Sequence, residues 1–306
     1  MIKIVNKNPI LGEYDNGNYH VTIYADGTKV RETFDEDATE FVAEYPECMD
    51  VKITNRCDRG CRMCHEDSTP DGCHGNILTA KFWDTLKPYT EIAIGGGNTL
   101  EHPDLVNFLI KLKKLNLIAN MTVNQIHFMQ NWALLKFLCD EKLIYGLGVS
   151  LVEPHAEFIE KIKEFPNAVI HIINGVVKKE QLEMLANNDL KVLILGYKEF
   201  RRGVTYLDTN RVKVEVNKIM LYDYLPDMLK EFKVVSFDNL ALEQLEVKRL
   251  LSEEEWNEFY MGNDGKYTMY IDLVKEQFAL CSVAEERFAL LDDIKPMFDK
   301  VKSLNN

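Results

Sequence analysis

From about residue 49 to residue 200 the chain repeats one unit: a short β-branched run, a polar loop, then a segment whose apolar residues recur every three or four positions. The runs are "MDVKIT", "EIAIG", "IANMTV", "YGLGVS", "VIHII" and "KVLILG". Helical patterns such as "PDLVNFLIKLKKL" lie between them. This rhythm restricts the fold to a parallel sheet with right-handed helical crossovers. Periodicity alone leaves an open doubly wound sheet and a curved partial barrel both standing. Either way, sites form at the carboxyl edge of the strands. Polar residues collect there: a cysteine loop after the first run, "GGGN" after the second, Asn124 and Gln125, Ser150, Asn174, then Gly196 to Lys198.

The cysteine loop reads CDRGCRMCH, with Cys57, Cys61 and Cys64 followed by His65. Three chemistries compete for it. Cys61 to His65 matches the C-x-x-C-H haem attachment pattern, but that reading leaves Cys57 without a role. A zinc site needs four ligands, with His65, Cys73 or His74 completing a set inside residues 57–74. No second C-x-x-C pair exists to build a zinc finger or ribbon. The third reading is an iron–sulfur cube on three thiolates, which leaves one iron open to a non-protein ligand.

Cys57-x-x-x-Cys61-x-x-Cys64 directly after a strand resembles the cluster loop of the radical SAM superfamily. The resemblance covers about residues 49–200 and extends to the glycines Gly95, Gly96 and Gly97, whose backbone would meet the methionyl amine of the cofactor. Here Asn98 stands where the family carries a glutamate. Met63 replaces the usual aromatic residue before the third cysteine and can still pack on adenine through sulfur. Asn124, Ser150 and Lys198 end strands at cofactor-facing positions. Gly175 matches the glycine of the fifth-strand adenine motif, without its glutamate.

The resemblance implies a partial (β/α)6 TIM-like barrel over residues 48–205. A small β-hairpin extension occupies residues 1–47, and a mixed α/β extension over 206–306 completes or caps the barrel. It also implies a [4Fe–4S] cluster on Cys57, Cys61 and Cys64, and S-adenosylmethionine (SAM) on the open iron. SAM would be cleaved reductively to a 5′-deoxyadenosyl radical that takes hydrogen from a peptide side chain or small metabolite. The electron would come from a flavodoxin or ferredoxin. A nucleoside or nucleic-acid substrate is the alternative within the family, and a non-enzymatic zinc protein the alternative outside it.

Composition bears on these choices. The 306 residues suit one α/β barrel. A formal charge of −13 repels phosphate backbones and argues against nucleic acid. Against that charge, Arg201 and Arg202 in "KEFRRG" read as solvated surface. No apolar run suits a signal peptide or the roughly 20 residues of a membrane span, so the expectation is a cytoplasmic protein.

Four of the seven cysteines lie outside the triad. Cys48 and Cys139 read as structural, Cys73 as either structural or part of the loop's chemistry, and Cys281 as a candidate hydrogen donor near the barrel mouth. No second cysteine cluster is present for an auxiliary iron–sulfur centre. Asp238, Asn239 and Gln244 read as a helix cap or as the lining of the barrel's open side, and Asp272 as a strand end. Asp26-Gly27 marks a hairpin in the N-terminal extension. If that hairpin presented an edge strand, it could take a peptide by strand addition.

Overall fold

The structure, a computed structural model that describes residues 8–305, opens with a three-stranded antiparallel sheet. Its strands are β1 (Ile10–Asn16), β2 (Tyr19–Tyr24) and β3 (Lys29–Thr33). Gly27, at φ +90°, makes the turn between β2 and β3. Residues 1–7 of the extension lie outside the described residues.

The second sheet has ten strands. Seven run parallel in chain order: β4 (Cys48–Thr54), β5 (Glu91–Gly96), β6 (Ile118–Asn124), β7 (Gly146–Ser150), β8 (Ala168–Ile173), β9 (Lys191–Leu195) and β10 (Val234–Phe237). On the other side of β4, β11 (Thr268–Asp272) adds a further parallel strand. Then β12 (Gln277–Ala279) and β13 (Phe288–Ala289) extend the sheet antiparallel. Strands β10 and β13 are its two edges, so the sheet does not close. The parallel run thus continues past the six strands expected. Short β10, with only four residues and no clean alternation, is paired to β9 along its whole length. Strands β11 and β12 form a hairpin within the C-terminal extension, and its first strand serves the parallel sheet.

The helices are α1 (Leu105–Lys114), α2 (Gln125–Gln130), α3 (Trp132–Asp140), α4 (Ala156–Lys163), α5 (Lys179–Leu185), α6 (Arg202–Glu231), α7 (Asn239–Gln244), α8 (Glu253–Phe259) and α9 (Ile294–Lys302). None is long and apolar enough to cross a membrane. Strand alternation sorts the side chains. Met49, Val51, Ile53, Ile92, Ile94, Val149, Ile170 and Ile194 are buried with Phe108, Leu109 and Phe158 from the helices in one continuous core. The alternate positions face the inside of the curved sheet, among them Asp50, Lys52, Gly95, Thr122, Ser150 and His171. Helix α9 returns Ile294, Met297, Phe298 and Val301 to the same core.

The N-terminal sheet covers the amino ends of these strands. Lys29 Nζ lies 2.7 Å from Glu91 and 3.1 Å from Glu47, and Arg31 Nε donates to Glu47 at 2.7 Å. The Tyr19 hydroxyl also donates to Glu47, and Asn167, before β8, donates to the Ala25 carbonyl at 3.0 Å. Burial pushes the Glu47 carboxyl up, but Arg31 and Lys29 more than reverse this and hold it below its ordinary value. The cysteine loop lies at the other end, after β4. A peptide added to this sheet would therefore sit at the end of the barrel away from the loop. Strand addition there is set aside as the way a substrate reaches the site. Removing residues 1–45 strips Glu47 and Glu91 of their cations, and it takes Tyr19, Val21 and Ile23 out of the core, leaving their buried neighbours uncovered. The truncated chain is expected to aggregate on expression. A soluble, cooperatively melting product would show that the cap is dispensable.

Candidate active site

The loop after β4 is laced to the end of β5. Gly97 N–H donates to the Thr54 carbonyl at 2.8 Å, and Asn98 N–H to the Arg56 carbonyl at 2.7 Å. This contact explains two of the three glycines. A Cβ on Gly96, at φ +109°, would lie 2.4 Å from the Thr54 oxygen, and one on Gly97 would lie 2.2 Å from the Arg56 oxygen. A Cβ on Gly95 would meet nothing within 4 Å. Gly96 and Gly97 therefore let two backbones touch, while Gly95 faces open space inside the barrel.

Cys57, Cys61 and Cys64 are half-buried in one loop. Burial pushes the Cys57 and Cys61 thiols up, opposed at Cys57 by the Arg59 backbone N–H and at Cys61 by the charges of Arg59 and Arg202. The loop is held from two sides by residues outside it. Arg202 Nε pairs with Asp67 at 2.7 Å, its Nη1 donates to the Cys61 carbonyl at 3.1 Å, and its Nη2 donates to the Ser68 carbonyl. Arg201 Nη1 donates to the Glu66 carbonyl at 3.0 Å and the His65 carbonyl at 3.3 Å. Across the loop, His127 Nε2 on α2 lies 2.6 Å from Asp58, which lowers the Asp58 carboxyl below its usual value.

The reading of Arg201-Arg202 as solvated surface is thus corrected, because the pair clamps the cysteine loop. His127 had no sequence signal, since a histidine inside an apolar helical pattern looks like core. Replacing it by Phe keeps the bulk and removes the tie to Asp58. Reconstituted His127→Phe is expected to hold several-fold less iron per chain, because losing an outer partner of metal ligands costs roughly 10–100-fold in metal affinity. Unchanged iron content would show that this tie does not position the loop.

Beneath the loop lies a buried charge network. Lys52 Nζ sits 2.8 Å from Glu66 and 3.7 Å from Asp272, and the Tyr270 hydroxyl donates to Glu66 at 3.2 Å. Burial raises Glu66, but His65, Lys52 and Arg201 more than reverse this and hold it below the usual carboxylate range. His65 is itself pushed down to about 3 by burial and by Lys198, so at neutral pH the lysine and the arginine hold Glu66.

These contacts bear on which metal the loop could take. Among the described residues no three His, Cys, Asp or Glu side chains gather round one point as a single ion requires. The extra zinc donors have other surroundings: His74 Nδ1 lies 2.9 Å from Thr54 Oγ1, Cys73 is exposed, and His65 lies against Glu66. A four-iron cluster binds each thiolate to a different iron, so its ligands need not converge on one point. Three half-buried thiols in a clamped loop beside the open space over Gly95 fit such a group.

The other expected site residues divide. Asn124 and Ser150 are register partners on β6 and β7, and Ser150 in turn pairs with His171 on β8. The Asn124 side chain also caps α2, accepting from Ile126 N–H at 3.0 Å. The Asn98 side chain is turned into its own 3-10 turn, accepting from Leu100 N–H and donating to Glu101 at 3.0 Å. Its backbone is engaged as well, the N–H with the Arg56 carbonyl and the carbonyl with Glu101 N–H, so the expected cofactor contact at Asn98 is replaced by a loop-holding role. Gly175, at φ +77°, backs onto α6, where a Cβ would lie 2.8 Å from Val214. Met63 packs against Tyr197, Tyr206 and Val214 in a small separate core. His171 was not singled out from the sequence. Its ring occupies the room left by Gly148, with Cε1 2.4 Å from where a Cβ would stand, and burial pushes it down to about 4, so it is neutral.

On the open side between β10 and β11, Lys198 Nζ contacts Ser282 Oγ at 3.1 Å. The neighbouring Cys281 thiol is pushed up chiefly by burial, and its hydrogen bond to the Asp264 side chain adds to this. Asp50 faces the same region: burial raises its carboxyl, Lys198 pulls it down, and Asp264 raises it further. Asp238 caps α7, accepting from Ala241 N–H at 2.8 Å, and also accepts from Gly196 N–H at 2.8 Å. Gln244 ties Asn174 to Tyr197 across the ends of β8 and β9. Asp272 receives the N–H groups of Val274 and Lys275 at 3.0 Å and lies by Lys52. Several polar strand ends are therefore staples between loops.

No protein-family model and no curated protein matches the sequence. Solved structures do. Streptococcus suis SuiB bound to S-adenosylmethionine aligns at 16% identity and a TM-score of 0.51, over 89% of this chain and 74% of that one. SuiB bound to precursor peptide SuiA aligns at 17% and 0.51 over the same shares. SuiB in a third structure aligns at 17% and 0.53, over 86% of this chain and 69% of that one. At such identities the likeness is one of architecture: this chain has the α/β fold, built on a large parallel sheet, in which SuiB binds S-adenosylmethionine.

Proposed function

We propose that the chain is a radical SAM enzyme that acts on a peptide. The observation that carries this reading is the three-cysteine loop, clamped by Arg201, Arg202 and His127 at the carboxyl edge of the sheet. The fold similar to SuiB, with its S-adenosylmethionine and its precursor peptide, supports both the cofactor and the substrate class. Cys57, Cys61 and Cys64 would hold the [4Fe–4S] cluster. When bound, cluster and SAM would together supply a 5′-deoxyadenosyl radical able to take hydrogen from an unactivated C–H bond.

The chain's own residues then have defined tasks. The backbone at Gly95 to Gly97 and the side chain of Ser150 would bind the methionyl and ribose parts of SAM. Met63 backs that site from the small core it shares with Tyr197, and Gly175 lets α6 close over the strand end. Lys198 supplies a cation near Asp50 at the mouth. Cys281, whose thiol is pushed up chiefly by burial, would give its sulfur-bound hydrogen atom to a substrate radical. One electron from a flavodoxin or ferredoxin and one proton would restore the thiol.

The test is anaerobic reconstitution with iron and sulfide, followed by SAM, dithionite and quantification of 5′-deoxyadenosine. Cluster-loaded protein that neither forms 5′-deoxyadenosine nor binds SAM in equilibrium dialysis would overturn the reading. With a modified peptide in hand, Cys281→Ala is expected to retain SAM cleavage but lose deuterium uptake from D2O into the peptide. Deuterium uptake equal to wild type would remove Cys281 from the reaction.

A further inference from the structure

At the carboxyl end of β11, between the β9–α6 connection and the β11–β12 hairpin, is a cavity of about 310 Å³. Three of its lining residues are cations, Arg201, Lys275 and Arg287, and two are acids, Asp272 and Glu285. Asp272 is already engaged by two backbone N–H groups and Lys52, and Glu285 is exposed. The cations are less committed. Arg287 uses Nη2 on the Ser282 carbonyl at 2.7 Å, Arg201 uses Nη1 on the cysteine loop and on the Glu66 carboxylate at 3.6 Å, and each keeps further guanidinium N–H groups. The Lys275 ammonium has no ion pair among the described residues. Both guanidiniums are also held against rings, Arg287 at 5.0 Å from Tyr270 and Arg201 at 4.8 Å from Phe200. Arg201 has its backbone at φ +50°, a conformation that non-glycine residues rarely adopt. On a chain of net charge −13, a cavity with this balance is a local exception.

We propose that this cavity is a recognition subsite for carboxylates, seating an acidic segment of the peptide substrate beside the cysteine loop. Arginine forks and a lysine suit carboxylate oxygens, and guanidiniums fixed in advance lose less freedom on binding. Arg201 would join the two sites, because the guanidinium lining the cavity also holds the carbonyls of His65 and Glu66. Lys275 and Arg287 are not among the groups assigned to SAM or to hydrogen transfer, so the subsite would select and hold the peptide without entering the hydrogen-transfer step. The inference rests on the peptide reading above.

The test uses the full, reconstituted chain and two fluorescein-labelled peptides that differ only in carrying four glutamates or four glutamines, with fluorescence anisotropy as readout. The glutamate peptide is expected to bind, to weaken as salt rises, and to bind at least about tenfold more weakly to Lys275→Glu, where an attraction becomes a like-charge contact. Lys275 is exposed, and circular dichroism checks that the variant folds. Equal binding of the two peptides, or unchanged affinity in Lys275→Glu, would overturn the subsite. So would a labelled single-stranded oligonucleotide that binds as tightly as the glutamate peptide. Anisotropy needs no SAM cleavage, so the two readings fail separately. SAM cleavage without peptide discrimination removes only the subsite. Discrimination by cluster-loaded chain that neither cleaves nor binds SAM supports the subsite and removes the catalytic reading.

Discussion

Cys61→Ala is expected to bring 5′-deoxyadenosine formation down to the level of chain that has received no iron. Cys61 stands between the other two cysteines, and Arg202 holds its carbonyl at 3.1 Å. Two thiolates cannot retain a cluster that already leaves one iron without protein ligation. The same loss is expected for Cys57→Ala and Cys64→Ala, whereas Cys73→Ala, at an exposed position in the same loop, should retain the activity. The measurement pairs iron content and the visible absorption of the cluster with product formation. A Cys61→Ala protein that still cleaves SAM would refute the assignment of the triad. Stoichiometric zinc in the wild-type chain as purified, with no cluster after reconstitution, would point to the zinc reading.

Glu66→Ala should produce the largest loss of stability. Its carboxylate is 6% exposed and faces Lys52, itself 3% exposed, across 2.8 Å. Removing it leaves the ammonium with Asp272 at 3.7 Å and leaves the Tyr270 hydroxyl without its acceptor. Breaking a buried pair in this way costs about 3–5 kcal/mol, a large share of a typical domain's stability. Urea unfolding at neutral pH measures it, and a loss no larger than that of a surface substitution would contradict the buried network.

The pH dependence has a definite sign. The folded Glu66 carboxyl lies below its ordinary 4.5, so its contribution is fully present above that value and is lost as the pH falls through the lower folded value. The stability gap between wild type and Glu66→Ala should therefore narrow in acid. Glu47, also lowered, makes the wild type itself acid-sensitive from the other end of the barrel.

Much of this arrangement was legible in local pattern. Alternating β-branched runs give period-two faces, and their order gives a parallel sheet. The Asp26-Gly27 turn, the Ser252–Glu255 capping box and the helix after Asp238 are short-range features written in adjacent residues. The cysteine spacing is local too, since all three thiols come from one loop.

Other features depended on residues far apart in sequence. Arg201 and Arg202 resemble surface charges until α6 brings them to a loop about 135 residues earlier. The glycine run shows no internal difference, yet Gly95 faces space while Gly96 and Gly97 press on backbone. Lys275 and Arg287 become one cavity with Arg201 only when the hairpin that starts at β11 docks beside β4.

By itself, then, the sequence determined the βα architecture, the three-thiol loop and its place after the first strand of the parallel sheet, because periodicity and spacing act over a few residues. Only the tertiary structure decided which charges hold that loop, which glycine is open and which end the N-terminal sheet covers. The physical reason is that burial and pairing belong to the partner a side chain meets, and that partner is set by packing across the whole chain.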